Sequence, residues 1–108
     1  RLRITDLEGI LEMTAWRSGG ISLAKLRAAP VTVRVRQGAE RLQPDAKRPR
    51  RTLKNLFQGL AIPPWRRERL PFLWCGGDLV WVAGVGVDCR YQARRGEAAI
   101  APHWRAAE

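Results

Sequence analysis

Histidine is nearly absent from this 108-residue sequence: His103 stands alone, beside Pro102. Nucleophilic and acid–base catalysis need a base within hydrogen-bond reach of the reacting group. His103 reads as a surface or edge residue, and the carboxylates are scattered with no pair in an apolar setting. A catalytic centre built wholly within these residues is therefore not expected, and no catalytic residue is assigned. Cysteine is also scarce. Cys75 and Cys89 lie in separate apolar segments. A disulfide framework or a zinc site needs more ligands at closer spacing. Both cysteines read as free thiols, and no metal is expected.

Long apolar runs are missing as well. The longest, Leu79 to Val87, is interrupted by Gly84 and Gly86. It is about half of the roughly 20 residues that a membrane-spanning helix takes, so it reads as a buried strand, and no membrane partner is expected. There is no basic start followed by an apolar run, as a secretory signal would have. The sequence holds no Gly-x-x-x-x-Gly-Lys-Ser/Thr phosphate loop. Ser18-Gly19-Gly20 resembles the opening of a pyrophosphate loop but continues as Ile21-Ser22-Leu23, so it reads as a turn.

Acidic residues are outnumbered: 10 Asp+Glu face 20 Lys+Arg, for a net charge of +10. The imbalance is local. Residues 1–24 and 70–108 each hold as many acids as bases, so the whole excess falls in residues 25–69. Concentrated charge of this kind is the footprint of a polyanion partner. Hydrophobic residues make up 45% of the chain, too many for a disordered tail. The length suits one domain, residues 1–108. The start on Arg1 rather than Met is what a segment of a longer chain would show.

Periodicity predicts short strands at Leu11 to Trp16 and Ile21 to Leu26. A third is expected at Val31 to Arg36, where alternating valines would be buried with Arg34 and Arg36 on the opposite, solvated face. Gln37 to Arg51 reads as loop, with a short strand near Arg41-Leu42. Thr52 to Gln58 is the clearest helix. Thr52 serves as N-cap, Leu53, Leu56, Phe57 and Leu60 form one apolar face, and Gly59 is placed to end it. Ile62-Pro63-Pro64-Trp65 stops that helix, and Pro64 opens a second, Trp65 to Arg69. Phe72 to Cys75 and Leu79 to Ala83 form a hairpin about Gly76-Gly77-Asp78. Gly84 and Gly86 predict a bulge or close backbone approach, Val87 to Tyr91 another strand, and Ile100 to Arg105 a short edge strand or a frayed tail.

The segment Lys47-Arg48-Pro49-Arg50-Arg51-Thr52-Leu53-Lys54 carries five basic residues into a helix start. Helix N-termini attract anions, and arginine's planar fork suits phosphate. Arg66, Arg67 and Arg69 lie just beyond. A solvated basic loop is the plainer reading of the same residues. The spacing Arg51-x-Leu53-Lys54-x-x-Phe57-Gln58, then Ile62-Pro63-Pro64-Trp65-x-Arg67, Pro71 and the apolar strand containing Gly84, resembles the C-terminal domain of bacterial tRNA(Ile)-lysidine synthetase. The resemblance runs from Val31 to Val87 and leaves the first thirty and last fifteen residues unmatched.

That resemblance implies an α+β fold: a small β-sandwich-like layered sheet with one or two short helices, like a domain of the phenylalanyl-tRNA synthetase β subunit. It implies a cytoplasmic parent ligase that uses ATP and lysine in a separate N-terminal domain to make lysidine at the wobble cytidine. This domain would clamp the CAU-anticodon tRNA(Ile), chiefly at its acceptor end. Arg51, Lys54 and Arg67 fall on basic positions of the family motif, and Lys47, Arg48, Arg50 and Arg66 join them as RNA-binding candidates on charge. Trp65, between prolines and a helix, is expected to pack more than to stack on a base. Two alternatives remain: a docking module for an acidic protein surface, and a general nucleic-acid binder.

Overall fold

The computed structural model describes residues 2–4, 9–16 and 19–106. Strands β1 (Leu2–Ile4), β2 (Gly9–Trp16) and β3 (Ile21–Ser22) lead into helix α1 (Leu23–Leu26). Then come β4 (Val31–Arg34), β5 (Arg41–Leu42) and β6 (Arg51–Thr52). Helices α2 (Leu53–Gly59) and α3 (Pro64–Arg67) precede β7 (Phe72–Cys75), β8 (Asp78–Val82) and β9 (Gly86–Val87). A 3-10 turn, Cys89–Tyr91, leads to β10 (Ala99–Ala106). One four-stranded sheet has the order β1-β2-β10-β3, another β4-β7-β8-β9, and β5-β6 form a separate ribbon. All pairings are antiparallel. The α+β expectation holds, with three short helices among the described residues rather than one or two.

Of the two expectations for the tail, the strand is the one that forms, and it is longer than expected. β10 pairs with β2 along its whole length, from Ala99↔Trp16 to Ala106↔Gly9, and with β3 at Ala99 and Ile100. Among the described residues, the β3 side carries no pairing past Ile100. A strand bonded on one side only can accept Pro102, which lacks an N–H to donate. Leu11, opposite Trp104, is wholly buried, and Trp104 packs on the core.

Several expected elements take another form. Ile21 to Leu26 divides into β3 and α1, because the buried Ser22 turns its hydroxyl to accept from Lys25 N at 3.3 Å, an N-cap that favours helix over extended chain. The same hydroxyl donates to Glu97. Val87 to Tyr91 ends as a strand at Val87, where the Asp88 side chain caps the 3-10 turn through Arg90 N. Gly84, at φ +78°, shapes the turn between β8 and β9; the strand irregularity lies instead between Leu73 and Trp74 of β7. Of the turn expected at 18–20, Ser18 lies outside the described residues, while Gly19 and Gly20 have positive φ.

The valine stripe is also reversed in part. Val31 and Val35 are exposed while the Arg36 side chain is only 15% exposed. Its guanidinium lies over the Phe57 ring at 5.4 Å, so an arginine stem and fork cover core that valine was expected to fill. In α2, Leu53 and Phe57 are buried as expected, but Leu60 is exposed. Gly59 is the last residue of the helix, as expected, but it does not take the left-handed position that closes it. Ala61, at φ 57°, takes the left-handed position, with Ile62 N bonded to Phe57 O at 3.0 Å and Ala61 N to Gln58 O at 3.1 Å, a Schellman closure.

The hairpin β7–β8 forms as expected about Gly76-Gly77, and Leu79, Val80, Trp81 and Val82 are all buried. Leu11 and Ile21 of the first sheet, Phe72 and Val80 of the second, Leu42 of β5 and Phe57 of α2 belong to one core cluster. The ribbon and α2 are thereby anchored to both sheets. Burying each such side chain contributes roughly 1.5–3 kcal/mol. Cys75 is buried, Cys89 is partly so, and neither is in a disulfide.

Candidate nucleic-acid interface

The basic segment 47–51 is held down by one carboxylate. Asp88 is wholly buried. Its Oδ2 accepts from Arg50 Nη1 at 2.6 Å and Gln43 N at 3.0 Å, and its Oδ1 from Arg90 Nε at 2.9 Å and Arg90 N at 3.0 Å. Burial pushes its carboxyl up, but these four bonds outweigh that and hold it below the usual carboxylate range. Gln43 extends the frame: its Nε2 donates to Arg48 O at 2.7 Å, its Oε1 accepts from Arg50 Nη2 at 3.3 Å, and its carbonyl accepts from Cys89 N at 2.7 Å. Arg90 Nη1 reaches Asp78 at 3.3 Å, and Tyr91 donates to Asp78 at 2.8 Å. Burial and that bond raise the Tyr91 phenol well above its ordinary range.

This frame gives the seven candidate cations different roles. The Arg50 side chain is 30% exposed and committed to Asp88. Arg67 donates Nε to Ile62 O at 2.8 Å and lies over Phe57 at 5.6 Å, so it braces the end of α2. Arg48 sits 3.9 Å from Asp45 with both side chains largely exposed, a pair of little energetic weight. Among the described residues, the side chains of Lys47, Arg51, Lys54 and Arg66 make no ion pair.

Arg51 is central. It lines a cleft with Pro44, Asp45, Arg48, Pro49 and Leu56. It also lines a shallower depression with Arg41, Arg50, Thr52 and Asn55. Arg41 lies outside the basic segment that the sequence marks. The two-residue ribbon pairs Arg41 with Thr52 and Leu42 with Arg51, and Leu42 is buried while Arg41 faces out. The signal was available in that alternation, but the pairing partner was not. Asp88 gave no sequence signal beyond being one acid in an apolar stretch.

The three acids of residues 25–69 do little to neutralise these cations. The Glu40 carboxylate turns back on its own loop, accepting from Gln37 N at 2.6 Å and Gly38 N at 2.8 Å. Asp45 accepts from Lys47 N at 2.9 Å, and Glu68 meets Arg36 at 3.4 Å. The start of α2 offers fewer free amides than its sequence implied. Leu53 N bonds Glu40 O at 3.1 Å, and Asn55 N bonds the Thr52 cap at 3.2 Å. Anion attraction here rests on guanidinium and ammonium groups.

Trp65 is not packed in the core as expected; it is 74% exposed. α3 buries none of its own residues, so the prolines that set its position do not cover its indole. Arg66, the next residue, lines a groove with Trp81, Val85, Pro102 and Trp104. His103 is exposed, 3.4 Å from the Thr14 hydroxyl. Among the described residues, no cluster of His, Cys, Asp and Glu could hold a metal ion. Nor is any helix long and apolar enough to cross a membrane.

Residues 31–104 match the family model described as TilS substrate C-terminal domain. A tRNA(Ile)-lysidine synthase of Nitrosomonas europaea is 47% identical over 103 residues, 95% of this chain and 22% of that protein. Those of Azoarcus sp. and Ralstonia nicotianae are each 36% identical over 82% of this chain, covering 22% and 19% of their own lengths. The likeness thus reaches well beyond residues 31–87, and the chain spans about a fifth of the length of these curated relatives. A solved structure described as the crystal structure of TILS C-terminal domain matches with a TM-score of 0.72 at 19% identity. That match covers 94% of this chain and 87% of the other, a likeness of fold. By the family match and by the identity of its relatives, the chain belongs to the C-terminal domain family of the tRNA(Ile)-lysidine synthases.

Proposed function

We propose that residues 1–108 form the tRNA-holding C-terminal module of a lysidine synthase. Its work is to clamp the CAU-anticodon tRNA(Ile), chiefly at the acceptor end. A separate N-terminal domain of the parent chain then uses ATP and lysine to convert the wobble cytidine, in the cytoplasm. The module itself contributes no catalytic group. The observation that carries this reading is the position of Arg51 between two depressions, flanked by Arg41 and Arg48, while the acids of the same segment are turned to local partners.

In this reading Arg41, Lys47, Arg48, Arg51 and Lys54 neutralise phosphates and release counterions. Arg66 extends the contact on the α3 side. Arg50 and Arg67 act as positioning residues, Arg50 by fixing the loop on Asp88 and Arg67 by bracing α2 on Phe57. Duplex RNA is contacted largely through shape and phosphates, so the module holds and aligns its substrate and leaves base-specific choice to the rest of the enzyme.

The test is competition. The 108-residue chain is bound to a fluorescent tRNA(Ile) transcript and challenged with unlabelled tRNA or with duplex DNA of equal phosphate count. Displacement by tRNA at tenfold or more lower concentration supports the proposal. Equal displacement would mean a general polyanion binder, and failure to bind tRNA would favour a protein-docking role.

A further inference from the structure

Trp65 is the most exposed large apolar side chain among the described residues, at 74%. A single exposed apolar residue on a mobile loop would need no explanation, but Trp65 stands on a fixed support. Pro64 occupies the first position of α3 and Pro63 is extended before it. Arg66 N bonds Pro63 O at 3.0 Å. Arg67 ties the following turn to Ile62 O and to the face of the buried Phe57. A helix that buries none of its own residues yet is braced at both ends serves to present what it carries.

The segment that carries the indole is cationic. Arg66 and Arg69 are both exposed, and Arg69 N bonds Arg66 O at 3.1 Å, one turn on. The one acid of the segment, Glu68, is in reach of Arg36. An apolar peptide would leave two guanidinium groups without partners, and an acidic peptide would leave the indole without one. A nucleotide satisfies both, with a flat π face for the indole and a phosphate for the arginines. Bases inside a duplex are already covered on both faces, so an unpaired nucleotide offers the indole a face that a duplex interior does not.

We infer that Trp65 is a stacking platform for an unpaired nucleotide of the bound RNA, with Arg66 and Arg69 on the flanking phosphates. This inference rests on the RNA-binding reading above and adds to it a single-stranded feature of the substrate.

The test compares two hairpin RNAs, one blunt and one with a four-nucleotide unpaired 3′ tail, against the wild-type chain, Trp65→Ala and Trp65→Phe. The inference expects wild type to prefer the tailed RNA. Trp65→Ala should lose about 5- to 150-fold in affinity for the tailed RNA, with the blunt RNA changed by less than about twofold, and Trp65→Phe should recover most of the loss. Thermal unfolding of Trp65→Ala should match wild type, since its side chain supports no core. If wild type binds both RNAs and Trp65→Ala leaves the tailed complex intact, or weakens both alike, the stacking role is wrong and RNA binding stands. If wild type binds neither RNA, the RNA-binding reading itself fails and takes this inference with it.

Discussion

Arg50 Nη1 meets Asp88 Oδ2 at 2.6 Å, and this contact fastens the basic loop to the far end of β9. The two residues are the hinge between charge and fold. Arg50→Ala removes a bond to a wholly buried carboxylate and should cost about 1.5–3 kcal/mol in urea unfolding. Asp88→Asn leaves both Arg50 and Arg90 facing a neutral amide, whose NH2 must oppose a donor, and should cost at least as much as Arg50→Ala. Arg51→Ala, whose side chain makes no ion pair among the described residues, should stay within about 0.5 kcal/mol of wild type.

The same carboxylate sets a pH dependence. Asp88 titrates lower folded than unfolded, because four hydrogen bonds favour its charged form despite burial. Its contribution is therefore fully present above the ordinary carboxylate pKa. It is lost as pH falls from about 4 through the lower folded value. Urea midpoints measured from pH 6 down to pH 2 should decline in that window. Asp88→Asn should decline less steeply there, since it has no proton to take up at that position.

Ala61 holds the left-handed position of the Schellman closure after α2, at φ 57°. Replacing a side chain that disfavours this conformation by glycine relieves strain of about 1–2 kcal/mol and increases the unfolded chain's freedom by about 0.4–1 kcal/mol. Ala61→Gly should therefore stabilise the chain slightly, by up to about 1 kcal/mol, seen as a higher urea midpoint with an unchanged slope. The opposite change belongs at Gly20. Its φ is +79°, and a Cβ there would lie 2.6 Å from the Ile100 carbonyl oxygen. Gly20→Ala should destabilise by more than about 1 kcal/mol.

Arg36 and Arg67 both lie over Phe57, at 5.4 and 5.6 Å. Arg67→Ala should lower stability by about 1–2 kcal/mol while leaving the salt dependence of RNA binding close to wild type. Arg67→Lys keeps the charge but not the fork, so it should recover little of that stability.

These contrasts mark where the sequence could be read and where it could not. The α2 cap at Thr52 and the turn at Gly76-Gly77 depend on neighbours a few residues away, and local chemistry predicts them. The position of β10 depends on β2 at the other end of the chain, and no local pattern reports it. Ser22 looked like part of an apolar strand because its capping bond becomes visible only with the backbone in place. Counting cations located the basic region but could not separate Arg50 and Arg67, which face structural partners, from Arg51 and Lys54, which do not. Trp65 was expected in the core because prolines often flank packed tryptophans; here they hold the helix and leave the ring in water.

The most direct measurement is the affinity of the chain for CAU-anticodon tRNA(Ile) across a salt series, for wild type and for Arg41/Arg51/Lys54→Ala. The account predicts a steep fall of log K with log salt for wild type. The triple variant should bind more weakly, with a slope shallower by about three, one for each lost phosphate contact, and with unfolding close to wild type. A variant that binds with wild-type affinity and slope would contradict the account and move the RNA contact off this face.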